Sequence, residues 1–193
     1  MQARFANDFR RDERQEREIL ARIAAGDRRA FERLFGRYHP QLFRFAYRMT
    51  ASYEAAEELA SDVLLTVWQS ADRYAGAAKV STWIFGIAYR KSLKRLRRRR
   101  ILPFTLREHD VVDSQAAERA EREDWVRGGI GTLPAAQRLT VLLVYYVGLS
   151  CEETAAATGV PVNTVKTRMF HARRKLKAEL RRRAGDVQEN TDG

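Results

Sequence analysis

Residues 150–176 read SCEETAAATGVPVNTVKTRMFHARRKL, and this stretch decides the fold of the C-terminal part of the chain. Ser150 and Glu153 have the spacing of a capping box, in which a serine and a glutamate satisfy each other's backbone groups at a helix start. Gly159 and Pro161 then break that helix before a second, longer one. A short helix, a glycine turn and a long helix together predict a helix-turn-helix, which is typical of DNA-reading modules.

The second helix of this stretch is predicted to start at Asn163 or Thr164 and to have two distinct faces. Its apolar residues recur at steps of three and four and form one packing stripe: Val165, Met169, Ala172, Leu176 and Leu180. The opposite face collects polar, basic and aromatic residues: Asn163, Lys166, Thr167, Phe170, His171, Arg174 and Lys177. Phe170 lies away from the stripe, where contact with a thymine methyl would explain it. The alternative is a solvated amphipathic helix with one stray phenylalanine.

The composition favours an all-helical protein with an anionic partner. Of 193 residues 45% are hydrophobic, and only four are proline and eleven glycine. The net charge of +11 indicates nucleic acid or a membrane surface as the partner. The chain has no apolar run that could span a bilayer and no signal-peptide core, and its single cysteine, Cys151, excludes an internal disulfide and a thiolate zinc cluster. We therefore expect a soluble, cytoplasmic protein with no metal, no cofactor and no stable membrane insertion.

Charge is unevenly distributed along the chain. Every charged residue from Arg90 to Arg107 is basic, acids outnumber arginines from Glu108 to Asp124, and basic residues dominate again from Lys166 to Arg183. Two basic modules thus flank an acidic connector that contains Pro103 and shows no periodicity. The predicted segments are a charged N-terminal extension (1–15), a first domain (16–100), a flexible acidic linker (101–117), a second domain (118–183) and a disordered tail (184–193).

The first domain is predicted to be a bundle of helices. Apolar residues recur at three-to-four spacing in Ile19–Ile23, Phe31–Tyr38 and Leu42–Met49. Asp27 is placed to cap the second helix, and Pro40 could bend it.

A third helix, predicted over about residues 53–73, combines an inward apolar stripe with an acidic exposed strip. Leu59, Val63 and Val67 follow steps of four and suit burial. The parallel strip is acidic and polar with one leucine, and its members are Glu57, Glu58, Asp62, Leu65 and Gln69. In so basic a protein the strip suits a protein partner better than DNA, although a plain solvated face explains the periodicity equally well.

A fourth helix, which Ser81 or Thr82 could cap, separates an apolar from a basic side. The apolar side holds Phe85, Ala88, Tyr89, Leu93 and Leu96. The basic side and its edge hold Arg90, Lys91, Lys94, Arg95, Arg97 and Arg98. Trp83 projects from the basic side, where an aromatic ring among arginines could wedge or stack against bases. The alternative is that Trp83 lies in the core near the helix start.

Three segments make the chain resemble the extracytoplasmic-function (ECF) type of bacterial RNA polymerase sigma factor, in the sigma-70 family. They are residues 56–68, residues 81–88 (STWIFGIA) with their arginine tail, and residues 133–176, and the likeness extends over about residues 20–183. The third segment is the most specific because order, spacing and turn all match. The resemblance implies an all-α fold of two small helical domains, a region-two bundle and a C-terminal region-four helix-turn-helix domain, joined by a flexible linker.

The resemblance also implies a non-enzymatic subunit that binds core RNA polymerase, directs it to promoters and promotes DNA melting. The third helix would dock on the polymerase clamp through Glu57, Glu58, Ser61, Asp62 and Leu65. The fourth helix and the loop before it would capture the minus-ten element through Lys79, Ser81, Thr82, Trp83, Arg90, Lys91, Lys94, Arg95, Arg97 and Arg98. The last helix would read the minus-thirty-five element through Asn163, Thr164, Lys166, Thr167, Arg168, Phe170, His171 and Arg174.

The implied partners are core RNA polymerase, promoter DNA and, as for many members of the family, an anti-sigma factor. Two other classes of protein fit the sequence less well. A stand-alone helix-turn-helix regulator would need a dimer interface or a sensor domain, and neither is evident. An enzyme would need a nucleophile with its base, paired carboxylates at a metal-like site or a phosphate loop, and the sequence shows none of them.

Overall fold

The computed structural model describes residues 13–99 and 130–189, with side chains over 13–96 and 130–182. Within these ranges every regular element is helical, so the predicted all-α fold class is confirmed. None of the described helices combines the length and the apolar character needed to cross a bilayer. The predicted linker (101–117) and the first residues of the predicted second domain (118–129) lie outside the described residues.

The first module consists of four helices, as predicted. They are α1 (Glu13–Ala24), α2 (Arg28–Thr50), α3 (Tyr53–Ser70), which a 3₁₀ turn (Ala71–Arg73) extends, and α4 (Val80–Arg99). The predicted cap of α2 is present, because the Asp27 side chain accepts a hydrogen bond of 3.1 Å from the backbone N–H of Ala30. α2 continues through Pro40 to Thr50 without a break.

α4 begins at Val80, before the residues that were expected to cap it. Ser81 and Thr82 therefore lie inside the helix, and the prediction that one of them caps it is wrong. Both are buried, as are residues on every side of the first half of α4. Such burial all round requires a second element on the face opposite the core, and that element comes from the second module.

The second module consists of α5 (Ala135–Val141), its π-helical continuation (Leu142–Val147), α6 (Cys151–Thr158) and α7 (Val162–Glu189). Gly148 ends the π-helical turn with a φ of 84°, a backbone conformation that glycine adopts without steric cost. α7 extends through residues 184–189, which differs from the disordered tail predicted there. Although this segment contains Gly185, it has no proline to stop the helix.

The hydrophobic interior joins the two modules. The second module has a small core of its own, formed by Leu133, Val141, Ala155, Val165, Met169 and Ala172. A second set of its residues belongs to the core of the first module: Leu139, Leu142, Leu143, Val147, Leu149 and Ala157. The π-helical turn and α6 thus contribute apolar side chains to both interiors, which fixes α7 close to α4.

Candidate nucleic-acid interface

The helix-turn-helix has the capping and the turn that its sequence predicts. The backbone N–H of Glu153 donates to Ser150 Oγ at 3.1 Å, and the backbone N–H of Ser150 donates to Glu153 Oε2 at 2.8 Å. Gly159 ends α6 with a φ of 70°, and its N–H donates to the carbonyl of Ala155. These contacts fix the angle at which α7 leaves the turn.

One face of α7 packs inward, as the apolar stripe predicts. Val165, Met169 and Ala172 are buried, and Leu176 packs against the same core. Leu180, however, is 39% exposed, so its predicted place in the packing stripe is wrong. Arg181 and Arg182, which follow Leu180, are exposed as well, whereas Leu176 packs against the core.

The opposite face of α7 carries the side chains expected to read DNA. Asn163, Lys166, Thr167, Phe170, His171 and Arg174 are all exposed, while Thr164 and Arg168 are half-buried. Phe170 is 61% exposed, and its ring meets that of His171 edge-on with centroids 5.5 Å apart. An exposed aromatic ring among cationic and polar groups can contact a thymine methyl while its neighbours bind base edges and phosphates.

A contact beside this face was not predicted from the sequence. Arg173 Nε donates to the hydroxyl of Tyr145 at 2.7 Å, and the guanidinium lies 5.6 Å from the tyrosine ring centroid. Tyr145 is half exposed on the π-helical turn. The sequence shows only that Arg173 is a basic residue beside the reading face. Its pairing with Tyr145 depends on how α7 packs against the π-helical turn.

The basic residues of α4 fall into two groups. Arg90 and Lys94 are exposed, as is Lys79 just before the helix, whereas Lys91 and Arg95 are half-buried. The side chains of Arg97 and Arg98 lie outside the described residues. Arg90 and Lys94 can reach a phosphate backbone from where they lie, whereas Lys79 Nζ lies 2.6 Å from Glu153 Oε1 and must give up that ion pair to do so.

Trp83 is partly in the core and partly accessible, so it agrees in part with both predictions made for it, burial near the helix start and exposure for stacking on bases. It packs against the core of the first module, and its ring lies 5.5 Å from that of Tyr74. It also lines a cavity of about 190 Å³ between the loop before α4, α4 itself and α6. Other lining residues are Arg73, Thr82, Arg90 and Ala157. The buried Thr82 Oγ1 has no hydrogen-bond partner among the described residues.

The exposed strip of α3 is linked to α4 by ion pairs. Asp62 Oδ2 lies 2.8 Å from Lys91 Nζ, and Glu58 Oε2 lies 2.8 Å from Arg95 Nη1. Leu65 is 51% exposed on the same strip. Two residues predicted to bind polymerase thus hold two residues predicted to bind DNA. Sequence spacing within each helix could not show this pairing, because it depends on how α3 and α4 pack.

The rest of the predicted strip lies on the same face of α3. Ser61 is exposed, and Glu57 is half-buried. Glu57 Oε1 lies 2.9 Å from His39 Nε2, whose ring stacks on that of Phe35. The acidic strip therefore borders α2 on one side and α4 on the other, with Leu65 left uncovered.

Comparison with known families matches both modules. The models of sigma-70 region 2 and sigma-70 region 4 match residues 34–101 and 124–176, respectively. The ECF RNA polymerase sigma factor SigM of Mycobacterium tuberculosis is 35% identical over 166 residues, which cover 86% of this chain and 85% of that protein. The ECF RNA polymerase sigma factor RpoE of Cereibacter sphaeroides is 33% identical, covering 80% of this chain and 88% of that protein.

Solved structures agree with this assignment. CnrH in complex with the cytosolic domain of CnrY matches with a TM-score of 0.69 and 27% identity, over 86% of this chain and 96% of that one. The sigma factor RpoE of Bartonella quintana, solved with the anti-sigma factor NepR, shares the fold with a TM-score of 0.60 at 23% identity, over 78% of this chain and 96% of that one. The chain belongs to the ECF RNA polymerase sigma factors of the sigma-70 family. It binds core RNA polymerase, directs it to specific promoters and promotes DNA melting.

Proposed function

We propose that α3, α4 and α7 divide the work of this sigma factor among polymerase, the minus-ten element and the minus-thirty-five element. The observation that carries the proposal is the two-sided character of α7. Its buried stripe holds the helix in the fold, and its opposite face presents Lys166, Phe170 and His171 to solvent. A helix held in this way can enter the major groove with the exposed face toward the bases.

The minus-ten end is proposed to use α4 and the loop before it. Lys79, Arg90 and Lys94 supply exposed positive charge for phosphates, and Trp83 with Tyr74 offers aromatic surface at the mouth of the cavity. Stacking of unpaired bases on such rings would offset the cost of unstacking the duplex.

The polymerase end is proposed to use the exposed strip of α3. Leu65 gives an apolar contact, and Glu57, Glu58, Ser61 and Asp62 surround it with polar groups. An apolar centre with a polar rim is the usual composition of a protein–protein interface. A partner of the anti-sigma type, expected from the resemblance, remains a prediction.

We also propose domain limits for this sigma factor and the cytoplasm as the compartment in which it acts. The region-two domain spans residues 16–100 and the region-four domain 118–183, between an extension (1–15), a linker (101–117) and a tail (184–193). The chain performs no reaction of its own, because its task is to position polymerase on DNA. It acts in the cytoplasm, where polymerase and promoter DNA meet.

Reconstitution with core polymerase tests the assignment. Leu65→Asp should prevent co-purification with core polymerase and abolish transcription from a promoter library. Leu180→Asp is the matched control, since Leu180 is also a partly exposed leucine but lies far along α7. Normal co-purification of the Leu65→Asp chain would contradict the assignment of α3.

A further inference from the structure

The loop before α4 (residues 74–79) is held in shape by a tyrosine at its start. The Tyr74 hydroxyl donates to the backbone carbonyl of Ala78, which ties the two ends of the loop together. The Tyr74 ring also lies 5.5 Å from the ring of Trp83, near the start of α4. The position of Tyr74 therefore affects both the shape of the loop and the surroundings of Trp83.

Alternate residues of this loop are turned toward the protein and toward solvent. The half-buried residues are Tyr74, Gly76 and Ala78. The exposed residues between and after them are Ala75, Ala77 and Lys79. Because the two sets alternate along one short backbone, the contacts of the half-buried residues determine how the exposed residues are presented to DNA.

Arg17 on α1 contacts the half-buried side of the loop. Its guanidinium donates to the Tyr74 hydroxyl, and that hydroxyl in turn donates to Ala78. The hydrogen bond to Glu13 and then the Tyr74 side chain hold the pKa of Arg17 above its ordinary value. Arg17 Nη1 also lies 3.7 Å from the position that a Cβ atom on Gly76 would occupy. One side chain thus contacts the loop at its first residue and near its centre.

The helix that carries Arg17 is itself anchored beside that residue. The neighbouring Glu16 is buried, and its carboxylate accepts a hydrogen bond of 2.8 Å from the Tyr38 hydroxyl of α2. The same carboxylate lies 3.2 Å from Arg37 Nη2. Arg17 Nη2 donates to Glu13 Oε1 at 2.5 Å, one turn earlier on α1. The guanidinium therefore meets the loop from a fixed support and with a restricted orientation.

We propose that Arg17 is a positioning residue that determines minus-ten specificity, although it lies on a helix with no predicted DNA contact. Arg17 holds Tyr74, Tyr74 holds the loop, and the loop with Trp83 meets the bases. The inference rests on the proposed function for the assignment of the loop and α4 to the minus-ten element. Groups that discriminate bases must be held in one geometry, so a loop released into several conformations accepts more sequences.

The alternative role for Arg17 is that of a surface ion pair within α1, and Arg14 provides the matched control for it. Arg14 pairs with Glu18 at 3.2 Å across one helical turn, as Arg17 pairs with Glu13. The Arg14 side chain is 90% exposed, so it has little surface in contact with any other element. Arg14→Ala and Arg17→Ala each remove one arginine and one such pair from α1, but only Arg17→Ala removes a contact with the loop.

Transcription from a promoter library by the full-length chain with core polymerase tests the proposal. We expect Arg17→Ala to relax base preference in the minus-ten element by about three- to ten-fold, the effect of one lost hydrogen bond. Preference in the minus-thirty-five element should not change, and Arg14→Ala should change neither preference. An unchanged minus-ten preference in Arg17→Ala, or an equal loss over all promoters, would overturn the proposal.

Variants of Tyr74 show whether Arg17 acts through it. Tyr74→Phe removes the hydroxyl and keeps the ring, so it should relax the minus-ten preference as Arg17→Ala does. The double variant should be no more relaxed than the stronger single variant, because both changes remove one shared interaction. Arg17→Lys keeps the charge and a donor and should retain part of the preference. Multiplied effects in the double variant would mean that Arg17 acts independently of Tyr74, which would refute the positioning role.

Hydrogen exchange of the full-length chain without DNA or polymerase measures the loop directly. Arg17→Ala and Tyr74→Phe should speed exchange of the amides in residues 74–79 while the amides of α1 stay protected. Arg14→Ala should leave exchange in the loop as it is in the natural chain. Unchanged loop exchange in both Arg17→Ala and Tyr74→Phe would show that this contact does not hold the loop, and the proposal would fail.

Failure of this proposal can be told apart from failure of the proposed function. If Trp83→Ala impairs promoter opening while Arg17→Ala leaves the minus-ten preference unchanged, α4 keeps its assignment and only the positioning role is refuted. If Trp83→Ala leaves promoter opening unchanged, the assignment of α4 itself is wrong, whatever the exchange of the loop shows.

Discussion

Lys91 and Lys94, one helical turn apart on α4, differ in exposure and in ion pairing. Lys91 pairs with Asp62 at 2.8 Å and is half-buried, whereas Lys94 is exposed with no ion pair among the described residues. A charge already paired within the protein must give up that pairing to bind a phosphate, so its net gain is smaller.

Replacement of these two lysines should therefore change DNA binding unequally. Lys94→Ala should lower the slope of log affinity against log salt concentration by about one, the value for one lost phosphate contact. Lys91→Ala should lower that slope less and should also weaken binding to core polymerase, because Asp62 loses its partner. Fluorescence anisotropy with promoter DNA over a salt series measures the slopes, and equal slopes would contradict the distinction.

Trp83 should matter more for promoter opening than for initial binding. Its ring is held by the core and Tyr74 on one side and lines the cavity on the other, so it is placed to stack on an unpaired base. Trp83→Ala should remove about 1–3 kcal/mol of stacking per base, whereas Trp83→Phe should retain part of it. Permanganate footprinting measures the open complex, and an unchanged open complex in Trp83→Ala would refute this role.

Lys166 is expected to read a base of the minus-thirty-five element. It is exposed on the same face of α7 as Phe170 and His171. Lys166→Ala should relax sequence preference at one position by about 1–3 kcal/mol in a promoter-library assay. Lys175→Ala, an exposed lysine on another side of α7, is the control. A uniform loss over all promoters would instead make Lys166 a phosphate anchor.

At the scale of helices, local sequence predicted most of what the fold contains. The capping box of α6, the glycine that ends it and the cap of α2 were all predictable, because each depends on residues within a few positions. The burial of Ser81 and Thr82 could not be predicted in the same way. Ala157 of α6, a helix distant in sequence, forms the cavity wall over Thr82, whereas Ser81 lies on the same side of α4 as Phe85 and Ala88, in the core of the first module.

The cap of α2 makes a prediction about acid stability. The backbone hydrogen bond from Ala30 and the ion pair with Arg22 hold the pKa of Asp27 below its ordinary value of 3.8. A carboxylate with a lowered pKa stabilises the fold above that value, and the stabilisation is lost as the pH falls through the lower, folded-state pKa. Asp27→Asn keeps a capping oxygen but not the charge.

The advantage of the natural chain over Asp27→Asn in urea unfolding should therefore be present at pH 7 and shrink as the pH falls below 3.8. Asp72→Asn, which changes an exposed carboxylate in the 3₁₀ turn, serves as the control. A constant difference from pH 7 to pH 3 would show that the charge of Asp27 contributes nothing.

At the scale of the whole molecule, the second module contributes part of the first module's interior. Leu143 lies in the joint core, whereas Val165 lies in the core of the second module alone. The sequence indicated two modules because composition changes between them, but it contains no local signal for a core formed across a long connector. Contacts between distant segments follow from complementary shape, which periodicity does not encode.

Because the two modules share a core, truncating a core side chain in the second module should destabilise helices of the first. Leu143→Ala should destabilise the chain by about 2–5 kcal/mol and speed hydrogen exchange of the α3 and α4 amides. Val165→Ala should speed exchange in α6 and α7 and leave α3 and α4 largely protected. If Leu143→Ala leaves exchange in α3 and α4 unchanged, the two modules are independent.

A Cβ atom built on Gly86 of α4 would lie 2.8 Å from the backbone oxygen of Ala157 on α6, and this close contact has a genetic consequence. The atom that a Cβ on residue 86 would strike is a backbone oxygen, which every residue type carries. No exchange of side chain at position 157 can therefore make room for a larger residue at position 86. A selection for second-site suppressors of Gly86→Ala should return changes that shift α6 as a body, and residue 157 itself should be absent from them.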